Sequence, residues 1–224
     1  MRRTFVRVLL ALGLLNSSSV AASPASPAAP PVCRDTVVDG SFELHFATNW
    51  PEWNQHSDDP TASLISSDSW VSHTPMYGAF LGGTAGGDLD PPVPNLVDTL
   101  YQTVTVPITA TTLSLAYWWS ISTGETTDVN AWDVMTVTLR STAGAVRQTL
   151  HTVSNLAATE QFSQTQWART AVMVDAAPYA GQTIRVYFVA SNDQSNPTDF
   201  YFDDVSLTAC NAPRVFLPMI TRQP

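Results

Sequence analysis

The sequence predicts an all-β protein, an antiparallel two-sheet β-sandwich that follows an export signal. Three observations carry the prediction. Apolar, β-branched and aromatic residues alternate with polar ones at a period of two along most of the chain; Gly, Pro, Asn and Asp break the runs at regular intervals; and no segment keeps a helical period. Short strands at such spacing build sandwiches.

Residues 1–22 read as the export signal. Arg2, Arg3 and Arg7 give a positive start, residues 8–15 (VLLALGLL) form a short apolar run, and Val20 and Ala22 suit the −3 and −1 positions of a cleavage site. RRTFVR also resembles a twin-arginine signal, so either export route is open. The run is too short to span a bilayer, and nothing later approaches about 20 apolar residues, so membrane insertion is not expected. Residues 23–32 (SPASPAAPPV) form a Pro/Ala tether. Residues 33–210 form the sandwich, and residues 211–224 a tail that either docks on a sheet edge or serves in sorting.

Acidic residues number 19 against 10 basic ones, for a net charge of −9, and lysine is absent. Nucleic acid and anionic membranes are therefore poor partners, whereas cations and neutral ligands suit the chain. The two cysteines, Cys33 and Cys210, stand at the two ends of the domain and predict a disulfide in an oxidising compartment. Closing so long a loop removes up to about 5 kcal/mol of unfolded-state entropy.

The strongest strand signals cover residues 98–106, 113–121, 133–139, 146–153, 166–174, 183–190 and 199–208, with shorter ones at 36–39, 42–43, 64–66 and 77–81. In LSLAYWWSI, Leu113, Leu115, Tyr117, Trp119 and Ile121 share the core side, which turns Trp118 outward. Thr136, Thr138, Arg147, His151, Arg185 and Tyr187 are expected on similar faces of their strands. A Trp among such neighbours makes a sugar platform if the face is open, and an ordinary covered residue if a second layer lies over it. Alternating strand directions bring the loops 82–97, 122–132, 154–165 and 191–198 to one pole. Asp88, Asp90, Glu125, Asp128, Asn155, Asp193 and Asn196 gather there, as solvated turn residues or as oxygen ligands for calcium.

Two segments carry a resemblance. Asp39-Gly40-Ser41-Phe42-Glu43, followed by Trp50 and Trp53, resembles the opening of jelly-roll carbohydrate-binding modules with a galactose-binding-like fold. Phe200-Tyr201-Phe202-Asp203-Asp204-Val205-Ser206-Leu207 resembles their closing strand. The segments between, with Trp167 and Ala180-Gly181-Gln182-Thr183-Ile184, are similar to MAM-like sandwich domains appended to secreted bacterial peptidases of the immune-inhibitor-A type. The resemblance implies a structural calcium where the opening and closing segments meet, on Glu43 and Asp203 with Asp204 as a further ligand. The alternative is that Asp203 and Asp204 cap strand ends or pair with Arg34. It also implies that Trp50, Trp53 and Trp167 are core, leaving Trp118, Tyr187 and the loop residue Trp132, with Arg185, as sugar contacts.

No HExxH or GxSxG motif is present, and His45, His56, His73 and His151 lack metal-ligand spacing and read as surface or loop residues. The expected function is a secreted, non-catalytic carbohydrate-binding module with structural calcium. A cell-surface domain that binds protein through its loop pole is the alternative, and a hydrolase with an unfamiliar site is the third.

Overall fold

The computed structural model describes residues 30–44, 50–83, 95–126, 129–193 and 195–212. The expected export signal, most of the expected tether and the residues beyond 212 lie outside the described residues, as do His45, Asp88, Asp90 and Asp128. The strands are β1 (Cys33–Asp35), β2 (Asn54–Ser57), β3 (Ile65–Ser66), β4 (Gly78–Gly82), β5 (Val97–Thr105), β6 (Thr112–Thr123), β7 (Val134–Ser141), β8 (Val146–Ser154), β9 (Ala168–Asp175), β10 (Thr183–Ser191) and β11 (Thr198–Cys210). The seven long strands match the alternation to within a few residues. Residues 36–39 and 42–43 are not strands, because that chain turns along β11 instead, and β2 was not foreseen, since its NQHS offers no apolar alternation. A short 3-10 turn covers Asn155–Ala157.

Two antiparallel sheets result. The first has the order β3-β4-β11-β6-β9, with β1 added along β11; the second has the order β2-β5-β10-β7-β8. Their inner faces meet in an aromatic core. Phe188 of the second sheet stacks on Phe202 of the first at 4.3 Å, and Tyr117 sets its edge against Phe188 at 5.3 Å. Leu113, Leu115, Tyr117 and Ile121 are buried, and Trp119 packs partly buried against them, as alternation requires. Each such side chain removed from water contributes about 1.5–3 kcal/mol. Trp50 and Trp53 are buried as expected, their indole N–H groups donating to the carbonyls of Phe42 and Asp39. Trp167 is not core: it stands half-buried on the outer face of the first sheet, beside His73.

β11 organises the first sheet. Its Asp199 to Phe202 stretch pairs with β4, its Thr208 to Cys210 stretch with β1, and β6 runs along the other side. A bulge interrupts the register between Asp203 and Ser206, with Asp204 at φ 53°. The opening motif fills the gap there, Val205 N–H donating to the Gly40 carbonyl at 2.8 Å. Cys33 and Cys210 face one another across β1 and β11 and are disulfide-bonded.

A Cβ on Gly40 would stand 1.7 Å from the Val205 carbonyl oxygen, so backbone would have to move. Gly40→Ala is expected to cost about 1–3 kcal/mol by overpacking, read as a lower denaturation midpoint in guanidinium. An unchanged midpoint would show that the opening segment does not bear on β11.

Candidate functional site

The opening and closing motifs meet, but their acids hold backbone. Asp203 is fully buried; one carboxylate oxygen accepts N–H bonds from His73 and Thr74, both 2.9 Å, and the other from Asp204 at 2.7 Å. Asp204 takes the His73 ring at 2.8 Å and the Thr74 hydroxyl. Glu43 accepts N–H bonds from Met76 and Tyr77. Together they cradle residues 73–77, and they do not bring three carboxylate oxygens within 4.8 Å of one another. The acids expected to hold a metal, Glu43, Asp203 and Asp204, are thus engaged by amide, hydroxyl and imidazole groups. Neither acid pairs with Arg34, the other partner considered; the ion pair at Asp204 is with His73.

That cradled loop lies over Trp118. The His73 ring stacks on the Trp118 indole at 4.3 Å and 15°, with the Trp167 edge at 5.4 Å from His73. Beside it Ser120 and Ala116 are buried, and the Ser120 hydroxyl donates to the Thr165 carbonyl. The outer face of the first sheet therefore carries a covering layer at Trp118.

Arg185 and Tyr187 are not near Trp118. They lie on β10, on the outer face of the second sheet, so the expected Trp118–Arg185–Tyr187 trio divides between opposite sides of the sandwich. Their neighbours are two residues the sequence reading missed. Tyr101 faces Tyr187 across β5 and β10, with rings 5.0 Å apart and 9° from parallel. Arg140 of β7 places its guanidinium 3.9 Å from the Tyr187 ring centre, and Arg185 lies 4.6 Å from that of Tyr101. The rings and guanidinium groups form one interlocked block, with exposed Thr103, Thr149 and Thr183 on the strands around it. Arg140 Nε donates to the Thr138 hydroxyl, which anchors it. Among the described residues the Tyr101 and Tyr187 hydroxyls have no hydrogen-bond partner, and neither has the buried Nε of Arg185. Alternation of Leu100, Gln102 and Val104 inward would have turned Tyr101 outward; the same argument from Val137 and Leu139 places Arg140.

Two other residues expected on that face do not serve it. His151 turns inward, where its ring meets the Tyr117 hydroxyl, and burial lowers its pKa. A register shift between β7 and β8 explains the reversal. Arg147 reaches instead to Gln182 and the Pro178 carbonyl.

The loop pole forms as the strand directions require. Gly124 N–H donates to the Pro197 carbonyl, Phe162 N–H to Thr123, and Asn192 N–H to Leu96. Glu125 and Asp193 come together there with Asp133, one oxygen from each lying within 4.8 Å of the others, an arrangement that can hold a metal ion. Asp133 accepts from Asp193 N–H and the Thr198 hydroxyl, and Asn155 accepts from Asp133 N–H. Burial raises the pKa of Glu125, and the charges of Asp133 and Asp193 add to it; burial also raises that of Asp133. Asp133 was legible only as a strand start, although Met135, Val137 and Leu139 set its side inward. Glu125 and Asn155 also line a cleft of about 330 Å³ with Thr123, Leu156 and Glu160. Trp132, next to Asp133, is 53% exposed. Asn196 lies in the same pole with a left-handed backbone (φ 48°) and is not among the gathered acids.

No protein-family model matches the sequence, and no curated protein matches it. Similar solved structures include the carbohydrate-binding module TmCBM61 in complex with β-1,4-galactotriose, at TM-score 0.48 and 14% identity over 78% of this chain and 97% of that one. A family 16 carbohydrate-binding module gives TM-score 0.42 and 18% identity over 77% and 98%. The K1 cleaved adhesin domain of Lys-gingipain from Porphyromonas gingivalis gives 0.43 and 13% over 83% and 99%. The ligand has to be argued from this chain's own side chains.

Burial pushes the Asp203 carboxyl from an ordinary 3.8 up to about 7, against its N–H bonds and with the Asp204 charge adding to the rise. Burial likewise takes Asp199 to about 6, with the charge of Asp98 adding. Between the ordinary value and these raised ones the folded chain keeps protons that the unfolded chain has released. Stability should therefore fall as pH rises from about 4 to about 7 and then level off. Melting curves across that window in chelator check this, and Asp203→Asn should flatten the slope. A melting temperature that climbs through the window would contradict it.

Proposed function

We propose that this protein is a secreted, non-catalytic glycan-binding module that uses the outer face of its second sheet, with calcium as its ion. One observation carries the reading. The Tyr101–Tyr187 stack and the guanidinium groups of Arg140 and Arg185 are locked together on an open face, while among the described residues the two phenol hydroxyls and the Arg185 Nε have no hydrogen-bond partner. Sugars present rows of hydroxyl acceptors and donors beside apolar C–H patches, and a site for them needs fixed polar groups on an aromatic surface. Stacking removes rotamer freedom in advance, so little ordering cost is left for binding. With both sides of Tyr187 covered, the ligand meets ring edges, phenol hydroxyls and guanidinium forks.

The same reading makes the module non-catalytic. His56, His73 and His151 are engaged with Asp58, with Asp204 and Trp118, and with Tyr117, so none is poised beside a nucleophile. An extracellular polysaccharide or cell-surface glycan is the partner this face fits.

A glycan array probed with the exported chain should show retention that Tyr187→Ala and Tyr101→Ala each weaken about tenfold, ~1.4 kcal/mol, with the melting temperature little changed. Trp118→Ala should leave retention intact. Wild-type retention in the Tyr101→Ala/Tyr187→Ala double variant would overturn the assignment, and loss on Trp132→Ala alone would move recognition to the loop pole.

A further inference from the structure

We infer that the loop pole is a calcium site built from Glu125, Asp133 and Asp193, at a different place from the one the opening and closing motifs suggest. The acids come from two connections that only the fold brings together: Glu125 and Asp133 from the two ends of the β6–β7 connection, and Asp193 just after β10. Asp133 is fully buried and Glu125 is 8% exposed. A buried carboxylate oxygen needs a donor or a cation. Asp133 has donors in Asp193 N–H and the Thr198 hydroxyl, and Asp193 has Ser195. Glu125 differs: its Oε1 is shut from solvent and has no hydrogen bond, in the cluster where two further carboxylates converge. No basic side chain answers these charges, the ion pairs among the described residues being His56–Asp58 and His73–Asp204.

The donor set selects the ion. All the converging ligands are oxygens, without His or Cys, which suits a hard cation over zinc or copper. Ligands on two separate loops, the β6–β7 and β10–β11 connections, make a site of adaptable geometry, as calcium accepts and magnesium resists. Glu125 and Asn155 line the 330 Å³ cleft as well, so the cluster lies beside a solvent-filled space. Once bound, the ion ties the β6–β7 connection to the β10–β11 connection, already joined by the Gly124–Pro197 hydrogen bond. This inference is independent of the glycan face, which lies on the sheet and not at the pole.

The test uses the full exported chain, stripped with chelator and titrated with calcium chloride, followed by calorimetry and thermal melting. Terbium luminescence excited through tryptophan gives a direct readout, because Trp132 adjoins Asp133. One saturable site is expected, with a dissociation constant of roughly 10⁻⁶–10⁻³ M, and a melting temperature that rises with calcium. Glu125→Gln should weaken calcium binding at least tenfold and also invert the order of stability. In chelator it removes repulsion and should melt at or above the wild type, whereas in calcium it should melt below. Asp193→Asn, on the less buried side, gives the same test if Glu125→Gln does not fold. Glu43→Gln should bind calcium like the wild type. No calcium-dependent shift, or a shift retained in both Glu125→Gln and Asp193→Asn, overturns the site; loss of the shift in Glu43→Gln returns the ion to the opening motif. Glycan retention measured on the same variants reports on the sheet face separately.

Discussion

The contact between Phe188 and Phe202, rings 4.3 Å apart from facing sheets, is the constraint on which the rest of the molecule depends. It commits one face of each sheet to the core and leaves only outer faces and poles for polar work. Holding Phe202 in place requires β11 to stay paired with β6 over its full length while its inward side changes. The bulge after Phe202 is how this succeeds. Phe200 and Phe202 point inward on even numbers, whereas Val205, Leu207 and Ala209 do so on odd ones, and the inserted residue at Asp204 performs the change.

The bulge has a second consequence on the outside of the sheet. It turns Asp203 toward the amides of His73 and Thr74 and Asp204 toward the His73 ring and Thr74 hydroxyl, and that loop lays His73 on Trp118. The acids that resemble a metal motif are therefore the reason the tryptophan that resembles a sugar platform is covered. The two expectations are coupled, because the hydrogen bonds that engage the acids also lay the loop on Trp118.

What could be read in advance follows from what is local. Period-two alternation is a property of one strand, so the long strands, the inward set on β6 and the outward turn of Tyr187 and Arg185 were all legible. Sheet membership is a property of pairs far apart in sequence, so nothing in LSLAYWWSI says that Trp118 and Tyr187 face opposite ways in space. His151 failed for a related reason: a register shift in β8 reversed its side. At the pole, strand direction alone brought Glu125 and Asp193 to the same end, but Asp133 looked like the first residue of a strand because its partners, Asp193 and Thr198, lie 60 and 65 residues on.

A chain without lysine must accommodate its buried carboxylates by other means, and this one uses two. Asp203 and the half-buried Glu43 draw on backbone N–H groups, although burial still holds the Asp203 proton to about pH 7. Asp199, near Asp98 and deeply desolvated, keeps a proton to about pH 6. Glu125, with an oxygen that no donor reaches and two like charges beside it, has neither remedy in full. The arginines that could have answered it, Arg140 and Arg185, stand on the second sheet's outer face, held by tyrosine rings rather than by acids. That separation of charge leaves positive donors on the sheet face and negative oxygens at the pole, so the two surfaces suit ligands of opposite character.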